Sequence, residues 1–337
     1  MSNVNRSQYH VAVVGATGAV GREMLEILQE RGFPLASLRA MASPRSAGTR
    51  LPFGDDEIVV EDLAEASFDG VDIALFSAGS SVSREHAGRA VEAGASVIDN
   101  TSAFRMDDQT PLVVPEVNAD ALGEFDHPGI VANPNCSTIQ MVVALEPLRR
   151  AVGLERIVVS TYQSASGAGQ GGIRELVDEL ENWASADDHD EWEAAREVFA
   201  HPLAFEALPH IGSFQESGFT TEELKMVDET RKILEDPGLS VGSHCVRVPS
   251  IRSHSESLTV DLSSPLSSDR ARELFAEAEG VELYDEPSEQ RYPLARLAEN
   301  TDETWVGRVR QDLDRPETLH FWVVSDNLRK GAALNSI

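Results

Sequence analysis

A cysteine that follows a polar turn is the residue of this chain best suited to covalent chemistry. Cys136 lies between residues 133–135 (Asn-Pro-Asn) and an apolar segment with helical spacing, residues 137–151. Because proline and asparagine favour turns, we expect the cysteine at a helix N-terminus. The helix dipole there stabilises a thiolate, the form that attacks a carbonyl carbon. The pattern predicts a nucleophile that forms a thioester. The second cysteine, Cys245, lies in an apolar strand segment, and we expect it to be buried and inert.

A glycine-rich turn joins the first apolar strand segment to the first helical segment. Residues 15–21 read Gly-Ala-Thr-Gly-Ala-Val-Gly. Gly15 would allow the tight turn, Gly18 would let the backbone approach a pyrophosphate, and Gly21 would let the helix pack closely. The amide groups at the helix start favour a bound phosphate. Because a strand precedes this turn and a helix follows it, the pattern predicts a dinucleotide site more strongly than an ordinary glycine-rich turn.

The end of the second strand segment indicates which dinucleotide binds. NAD-binding proteins usually place Asp or Glu at this point to hold the ribose hydroxyls. Here the strand is followed by Ser43, Arg45 and Ser46, which can donate hydrogen bonds to a 2′-phosphate, and no acid competes with them. We therefore predict NADP as the cofactor. The alternative is a surface arginine in a turn.

Strands and helices alternate in the first part of the chain. Apolar segments predict strands at residues 9–14, 38–42, 73–77, 96–99 and 129–132, and helices at 19–31 and 83–93. This alternation predicts a Rossmann-type parallel sheet with helices on both faces. We expect residues 1–134, together with 322–337, to form the cofactor-binding domain.

The pattern changes after residue 151. Longer and more alternating strand segments lie at 156–163, 241–249, 257–262, 305–311 and 319–325, with helical segments at 172–184, 221–234 and 268–278. Alternation suggests a mixed sheet with one covered face. The fold class is therefore α/β, with a second α+β domain over residues 135–321. We expect residues 185–193, which are rich in acid, to form an exposed loop or helix.

Acidic residues dominate the charge of the chain. The formal net charge is -29, which argues against nucleic acid or an anionic membrane as a partner. The acidic surface is either an ordinary solvated face or an adaptation to high salt, and stability against salt would distinguish them. Two cysteines, a polar N-terminus and the lack of a long apolar run make a cytoplasmic protein the expectation. We predict no metal site.

Several stretches along the chain resemble the bacterial aspartate-semialdehyde dehydrogenase family. They are residues 15–21, 99–106, 113–118, 133–138, 161–169, 222–226, 246–249, 254–256 and 326–333. They occur in family order along nearly the whole chain, so together they are highly specific. The resemblance implies NADPH-dependent, reversible reductive dephosphorylation of L-4-aspartyl phosphate to L-aspartate 4-semialdehyde through a cysteine thioester. It also implies a role in lysine, threonine, methionine and diaminopimelate biosynthesis, and a homodimer formed through the second domain, which would also be the catalytic one.

The same resemblance implies roles for individual residues. His254 matches the acid–base histidine, and Arg247 matches the arginine that grips the substrate α-carboxylate. Glu223 would balance the substrate ammonium, with the neighbouring Glu222 as the less certain alternative. The implied phosphate and substrate positions are Arg105, Asn135, Lys225 and Gln163. The implied cofactor positions are Gly15, Thr17, Gly18, Ala19, Val20, Gly21, Ser43, Arg45, Ser46, Ser77, Ala78, Gly79, Ser166, Gly167, Ala168, Gly169 and Asn327.

One departure from the family and three alternatives remain. Ser253 stands where the family commonly has Gly before His-Ser-Glu, which puts the local backbone in doubt. The first alternative is an N-acetyl-glutamyl-phosphate reductase-like enzyme, which would not need an ammonium partner such as Glu223. The second is a glyceraldehyde-phosphate dehydrogenase-like enzyme, which has a different motif around its cysteine. The third is a catalytically inactive homologue with a structural role, against which the presence of Cys136 and His254 argues.

Overall fold

The computed structural model of the protein describes residues 8–123, 125–186 and 196–337, which form two compact units. The first unit contains the chain up to Asn135 together with Ala332–Ile337, and the second contains Cys136–Gly331. The chain therefore leaves the second unit ten residues later than the expected boundary at residue 322. The reason is that the last strand, Thr318–Ser325, pairs along its length with two strands of the second unit.

The first unit is built around a seven-stranded sheet. Its strands are β1 (Tyr9–Val14), β2 (Leu35–Ala42), β3 (Arg50–Phe53), β4 (Asp56–Asp62), β5 (Ile73–Phe76), β6 (Ser96–Asp99) and β7 (Ile130–Ala132). Its helices are α1 (Ala19–Glu30), α2 (Ser80–Glu92), α3 (Pro115–Asn118) and the C-terminal turn Leu334–Ser336. The strand order is β3-β4-β2-β1-β5-β6-β7, and every neighbouring pair except β3 and β4 is parallel. The predicted Rossmann-type sheet is confirmed.

Strand β1 explains why this sheet has helices on both faces. Val11 and Val13 belong to the apolar cluster that contains Met24 of α1. Ala12 and Val14, the alternate residues, belong to a second cluster that contains Ala87 and Ala90 of α2. Successive side chains of a strand point to opposite faces, so an uninterrupted apolar run requires cover on both sides.

The second unit contains a six-stranded mixed sheet, as predicted. Its strands are β8 (Leu154–Gln163), β9 (Ser240–Arg247), β10 (His254–Leu262), β11 (Val281–Leu283), β12 (Thr304–Gln311) and β13 (Thr318–Ser325). Its helices are α4 (Cys136–Val152), α5 (Gly169–Ser185), α6 (Thr221–Ile233), α7 (Ser268–Glu277) and α8 (Ala295–Ala298). The order is β11-β12-β13-β10-β8-β9, with two parallel and three antiparallel pairs.

Helix α4 is the central helix of the second unit. It contacts strands β8, β10, β12 and β13 as well as helices α6 and α7. Eleven of its residues are buried, so its position is fixed by packing on several sides. Its first residue is Cys136, and the thiol therefore stands at the end of a rigid element.

Two expectations concern segments of low regularity. The hairpin formed by β3 and β4 was not predicted, because charged residues flank its short apolar segments and only Leu51 and Val60 in it are buried. The acidic segment at 185–193 begins at Ser185, the last residue of α5, and its remainder from residue 187 lies outside the described residues. Across the described ranges, no helix is long and apolar enough to cross a membrane.

Candidate active site

The glycine-rich turn of the first unit is tightly packed. Gly15 has φ +87°, and a Cβ there would lie 2.9 Å from the backbone N of Ala78 and the backbone C of Ser77. At Gly21 a Cβ would lie 2.2 Å from the carbonyl oxygen of Gly15. Neither position can carry a side chain without moving backbone. Gly18 precedes α1 as its N-cap, so the first amides of the helix follow the turn directly.

The turn also meets the residues that follow β2. The hydroxyl groups of Thr17 and Ser46 are 3.5 Å apart, and Ser46 is half-buried. Ser43 and Arg45, which flank Pro44 in the same short turn, are exposed. The structure thus brings together the donors expected for a 2′-phosphate and the helix start expected for a pyrophosphate. This donor set fits an anionic dinucleotide such as NADP.

The remaining cofactor positions of the first unit lie at two helix starts. Ala19 and Val20 are the first two residues of α1. The Ser77 hydroxyl and N–H both donate to the carbonyl of Val14, and Gly79, with φ +98°, is the N-cap of α2. These residues connect the ends of β1 and β5 to the two helix starts.

Arg105 supports the turn that leads to the cysteine. Its side chain is 6% exposed, and its Nε donates to the carbonyl of Asn133 at 2.8 Å while Nη2 donates to the carbonyl of Asn100 at 2.9 Å. Asn133 also receives a 2.6 Å bond from Asn335 Nδ2 at its side-chain oxygen. Arg105 therefore has a structural task besides any contact with phosphate. Asn135, the last residue of this turn, is 7% exposed.

The two cysteines have different surroundings in the second unit. Cys136 begins α4 and is partly exposed, as predicted for a nucleophile. Gly331 lies against it, because a Cβ on Gly331 would be 2.9 Å from Cys136 Cβ. Cys245 is fully buried in β9, and burial raises the pKa of its thiol far above the ordinary value. Its prediction as a buried residue is confirmed.

His254 is a neutral, fully buried imidazole. Burial, followed by the charge of Arg247, lowers the pKa of His254 to about 3. Its Nδ1 accepts the backbone N–H of Ser164 at 3.1 Å, so the neutral ring carries its proton on Nε2. Among the described residues Nε2 has no hydrogen-bond partner. The ring therefore has one nitrogen that can exchange a proton or a hydrogen bond with a substrate.

Arg247 has unused hydrogen-bonding capacity. Its side chain is 6% exposed, and within the described part of the chain it makes one hydrogen bond, from Nη1 to the Ser164 carbonyl at 2.6 Å, and no ion pair. Burial lowers the pKa of Arg247, while the charges of Glu222 and Cys136 act in the opposite direction. A buried guanidinium with free donors is suited to a carboxylate, which it can bind with two parallel bonds.

Asn327 joins the segments around the histidine. Its Oδ1 accepts hydrogen bonds from Ser166 Oγ at 3.0 Å, from Ser164 Oγ at 3.2 Å and from the N–H of Ser253 at 2.9 Å. Asn327 was expected beside the nicotinamide; the structure gives this oxygen a positioning task around His254. Ser253 has φ +68°, the left-handed region that glycine favours, so this serine holds a conformation that a glycine would adopt more readily.

Gly167 lies against both the arginine and the histidine. A Cβ there would be 2.6 Å from Arg247 Nη1 and 3.2 Å from His254 Nε2. Ala168 belongs to the same short turn, and Gly169, with φ +75°, begins α5. This backbone fixes how closely the two functional side chains can approach each other.

The choice of Glu223 as the ammonium partner is not supported by the geometry. Both carboxylate oxygens of Glu223 are engaged: Oε2 accepts the N–H of Thr220 at 2.7 Å, and Oε1 accepts the N–H of Cys245 at 3.3 Å. Thr220 Oγ1 in turn accepts the N–H of Glu223, which completes a capping box at the start of α6. Glu223 therefore has a structural role.

Glu222 lies among the residues predicted to bind substrate and phosphate. Its Oε1 accepts a bond from Gln163 Nε2 at 3.1 Å, and its Oε2 pairs with Lys225 Nζ at 3.1 Å. Its charge raises the pKa of both Arg247 and His254 against the larger effect of burial. The structure thus groups Glu222 with three of the predicted residues, Gln163, Lys225 and Arg247.

Sequence reasoning missed one further buried acid. Glu256 is fully buried on β10, two residues after His254, and burial raises its pKa well above the ordinary value. Its polar neighbour is Gln140, one helical turn after Cys136. The available signal was the spacing, since residues two apart on a strand and four apart on a helix share a face.

Comparison with known proteins gives a consistent result. Residues 10–125 match the family described as the NAD-binding domain of semialdehyde dehydrogenases, and residues 145–330 match the family described as their dimerisation domain. The aspartate-semialdehyde dehydrogenase of Bacillus subtilis (strain 168) is 50% identical over 331 residues, which are 97% of this chain and 95% of that protein. The enzyme of the same name from Legionella pneumophila is 50% identical over 329 residues, 97% of this chain and 93% of that protein.

Solved structures are similar over the same length. Aspartate semialdehyde dehydrogenase II from Vibrio cholerae, complexed with ASA, is 45% identical and has a TM-score of 0.94. The match covers 98% of this chain and 96% of that chain.

Proposed function

Because the chain belongs to the aspartate-semialdehyde dehydrogenase family, we propose that it catalyses the reversible, NADPH-dependent conversion of L-4-aspartyl phosphate to L-aspartate 4-semialdehyde and phosphate. The observation that best supports this proposal lies in the second unit. There a partly exposed thiol at a helix start, a neutral imidazole with an unpartnered Nε2 and a buried arginine with free donors occur together.

The covalent step is assigned to Cys136. Its thiolate attacks the carbonyl carbon of the acyl phosphate, the bond from that carbon to the phosphate oxygen breaks, and phosphate leaves with the electron pair. The product is a thioester on the sulfur. The helix dipole of α4 and the charge of Arg247 both stabilise the thiolate.

The reductive step uses the proton of His254. Bound NADPH would supply a hydride to the carbonyl carbon of the thioester. The Nε2 N–H of His254 donates a hydrogen bond to the oxygen on which negative charge then develops, and the C–S bond breaks as that oxygen re-forms the carbonyl, which releases the aldehyde and the Cys136 thiolate. Because the ring is neutral at pH 7, it acts in this step as a hydrogen-bond donor.

We assign substrate recognition to charged side chains of the second unit. Arg247 binds the α-carboxylate through its unused donors, and Glu222 balances the ammonium. Gln163 orients the acyl group, while Lys225, Arg105 and Asn135 contribute to phosphate binding. Glu222 favours this function over an N-acetyl-glutamyl-phosphate reductase, because an acylated amine has no positive charge for a carboxylate to balance.

Other properties follow from the same proposal. We assign NADP to the turn of residues 15–21 and to Ser43, Arg45 and Ser46, and a homodimer to the second unit, whose family match is a dimerisation domain. The reaction belongs to lysine, threonine, methionine and diaminopimelate biosynthesis. A cytoplasmic location remains a prediction from the sequence.

A phosphate-dependent assay of NADP reduction tests the proposal. We expect turnover with L-aspartate 4-semialdehyde, far slower turnover with N-acetyl-glutamate semialdehyde, and none without phosphate. Cys136→Ala should abolish turnover, whereas Cys245→Ala is the matched control and should retain it. Activity in Cys136→Ala comparable to that of the unmodified chain would exclude the covalent route.

A further inference from the structure

Two buried acids of α5 hold a loop of the second unit, residues 197–204. The first is Glu175, which is 7% exposed. Its Oε2 accepts the N–H groups of Glu197 and Val198 at 2.9 and 2.6 Å, and its Oε1 accepts the N–H of Phe199 at 3.0 Å. Bonds from N–H groups to a carboxylate are stronger than bonds between neutral groups, so this anchor is firm.

The second acid is Glu179, one helical turn further along. It is 1% exposed, and its Oε2 accepts the N–H groups of Leu203 and Ala204 at 2.8 and 2.7 Å. The 197–204 loop is thus fixed at both ends by one face of a single helix. Burying a carboxylate costs free energy of desolvation. Because two buried carboxylates hold this loop, we infer that its fixed position has a function.

The side chain that this anchoring positions is Phe199. Its ring centroid is 5.9 Å from Cζ of Arg247, within the range of a cation–π interaction. The ring also meets α5 at Gly172, where an added Cβ would lie 3.0 Å from Cζ of Phe199. It therefore contacts both a helix that lacks a side chain at this point and the guanidinium of Arg247.

Arg247 faces a cavity that the same loop helps to form. The cavity has a volume of about 650 Å³, and its lining includes Phe199, His201, His210, Phe214 and Arg247. In the described structure the guanidinium has one hydrogen bond, to the Ser164 carbonyl, so the Phe199 ring is the second contact that limits its orientation. A guanidinium that binds a carboxylate with two parallel bonds must be held in one plane.

We propose that the 197–204 loop is a specificity element, in which Phe199 is the positioning residue that orients Arg247 for the substrate carboxylate and Glu175 and Glu179 anchor it. This inference rests on the proposed function only for the identity of the carboxylate, which is that of the amino-acid substrate. The loop acts through Arg247.

The first test separates substrate affinity from turnover. Phe199→Leu keeps apolar bulk and removes the aromatic ring. We expect KM for aspartate semialdehyde to rise about 2- to 10-fold, the range given by a cation–π contact of this kind. We expect kcat, and KM for phosphate and NADP, to stay within about twofold, because the active-site residue that the ring contacts is Arg247. Glu175→Gln keeps the side-chain shape but leaves one acceptor oxygen in place of two and removes the charge, so it weakens the anchor of the loop and should act in the same direction.

The double variant and a control complete the kinetic test. Phe199→Leu combined with Glu175→Gln should raise KM no further than the larger single effect, because both act through the same guanidinium. Phe214→Leu is the matched control: it removes an exposed ring from the same cavity, and that ring stacks on His210 instead of Arg247. An unchanged KM in Phe199→Leu, additive effects in the double variant, or an equal effect of Phe214→Leu would overturn the proposal.

A second readout does not depend on turnover. Cys136 is alkylated with iodoacetate, which carries a carboxylate, and separately with the neutral iodoacetamide. The ratio of the two rates reports how well Arg247 receives a carboxylate beside the thiol. We expect this ratio to fall about 2- to 10-fold in Phe199→Leu and Glu175→Gln and to stay unchanged in Phe214→Leu.

The two readouts separate the two proposals. If the unmodified chain gives no phosphate-dependent turnover while the alkylation ratio still falls in Phe199→Leu, the loop proposal stands and the proposed function fails. If turnover is present and neither KM nor the ratio changes, the loop proposal fails and the proposed function stands.

Discussion

Replacing Gly167 by alanine should damage activity more than the addition of one methyl group suggests. The new Cβ would lie 2.6 Å from Arg247 Nη1 and 3.1 Å from His254 Cε1. Atoms of this kind attract each other best at about 3.5–4.0 Å, so the guanidinium must move by about 1 Å. It cannot move freely, because Nη1 is bonded to the Ser164 carbonyl at 2.6 Å and the side chain is buried.

The size of the effect follows from this displacement. A misplacement of about 1 Å in an active site lowers the rate on the order of 100-fold, or about 2.7 kcal/mol. Because Arg247 and His254 are both displaced, we expect KM for aspartate semialdehyde to rise and kcat to fall, with kcat/KM about 100-fold lower. The turn of residues 15–21 is untouched, but Gly167 is itself a predicted cofactor position, so the affinity for NADP is measured as a separate quantity.

The assay is steady-state NADP reduction at varied aspartate semialdehyde, with cofactor affinity measured separately by fluorescence titration. Gly242→Ala is the matched control in the same unit, because no atom lies within 4 Å of its added Cβ. It should keep kcat/KM within about twofold of the unmodified chain. If Gly167→Ala retained kcat/KM within about threefold, Arg247 and His254 would not depend on their mutual position, and the catalytic roles assigned to them would be refuted.

Three further predictions follow from single residues. Arg45→Ala should raise KM for NADP about 10-fold and leave KM for NAD unchanged, since only the 2′-phosphate contact is lost; parallel kinetics with both cofactors check this. Ser253→Gly should raise the free energy of unfolding by about 1 kcal/mol in urea titrations, because it relieves a left-handed φ and removes a buried hydroxyl without a partner among the described residues. The pKa of His254 is about 3 in the folded protein, against 6.5 for an ordinary histidine. Between pH 3 and pH 6.5 the histidine is therefore protonated in the unfolded chain and neutral in the folded one. The stability that this histidine contributes is therefore present above pH 6.5, and it falls by about 1.4 kcal/mol for each pH unit below that value. Urea titrations between pH 6.5 and 4 should show this loss of unfolding free energy in the unmodified chain, and His254→Asn should not show it.

Much of the fold could be predicted because buried faces of helices and strands require apolar residues at regular spacing in the sequence. Strand β1 is apolar at consecutive positions, and its alternate residues enter two different apolar clusters, which is what a covered parallel sheet requires. The β3–β4 hairpin has no such pattern, because residues 56–62 place two acidic residues on each side of a three-residue apolar segment and only Val60 among them is buried. The predicted boundary at residue 322 differs from the observed one because the apolar sequence of β13 would suit a strand of either domain. The pairing of β13 with β10 is what places it in the second unit.

Site residues could be predicted from the sequence where a single turn contains a residue type that is specific for one kind of chemistry. Cys136 after Asn-Pro-Asn and the glycines of residues 15–21 are of this kind. Glu222 and Glu223 are adjacent on one helix, and their roles are separated by a capping box that the sequence does contain, at Thr220 and Glu223.

Long-range contacts could not be read in this way. Glu175 binds backbone groups 22 to 24 positions away in the chain, and the Ser164 carbonyl meets an arginine 83 positions away. Nothing in local spacing indicates such pairs. They depend on where packing brings helix α5 and strand β9 together with the loops between them.

Trapping the acyl-enzyme tests the thioester most directly. The protein is mixed with L-4-aspartyl phosphate in the absence of NADPH, quenched in acid, digested and analysed by mass spectrometry. We expect one aspartyl group on the peptide that contains Cys136, none on the peptide that contains Cys245, and its loss on addition of NADPH before the quench. A preparation that is fully active when NADPH is supplied, but carries no aspartyl group on Cys136 when NADPH is left out, would contradict the mechanism.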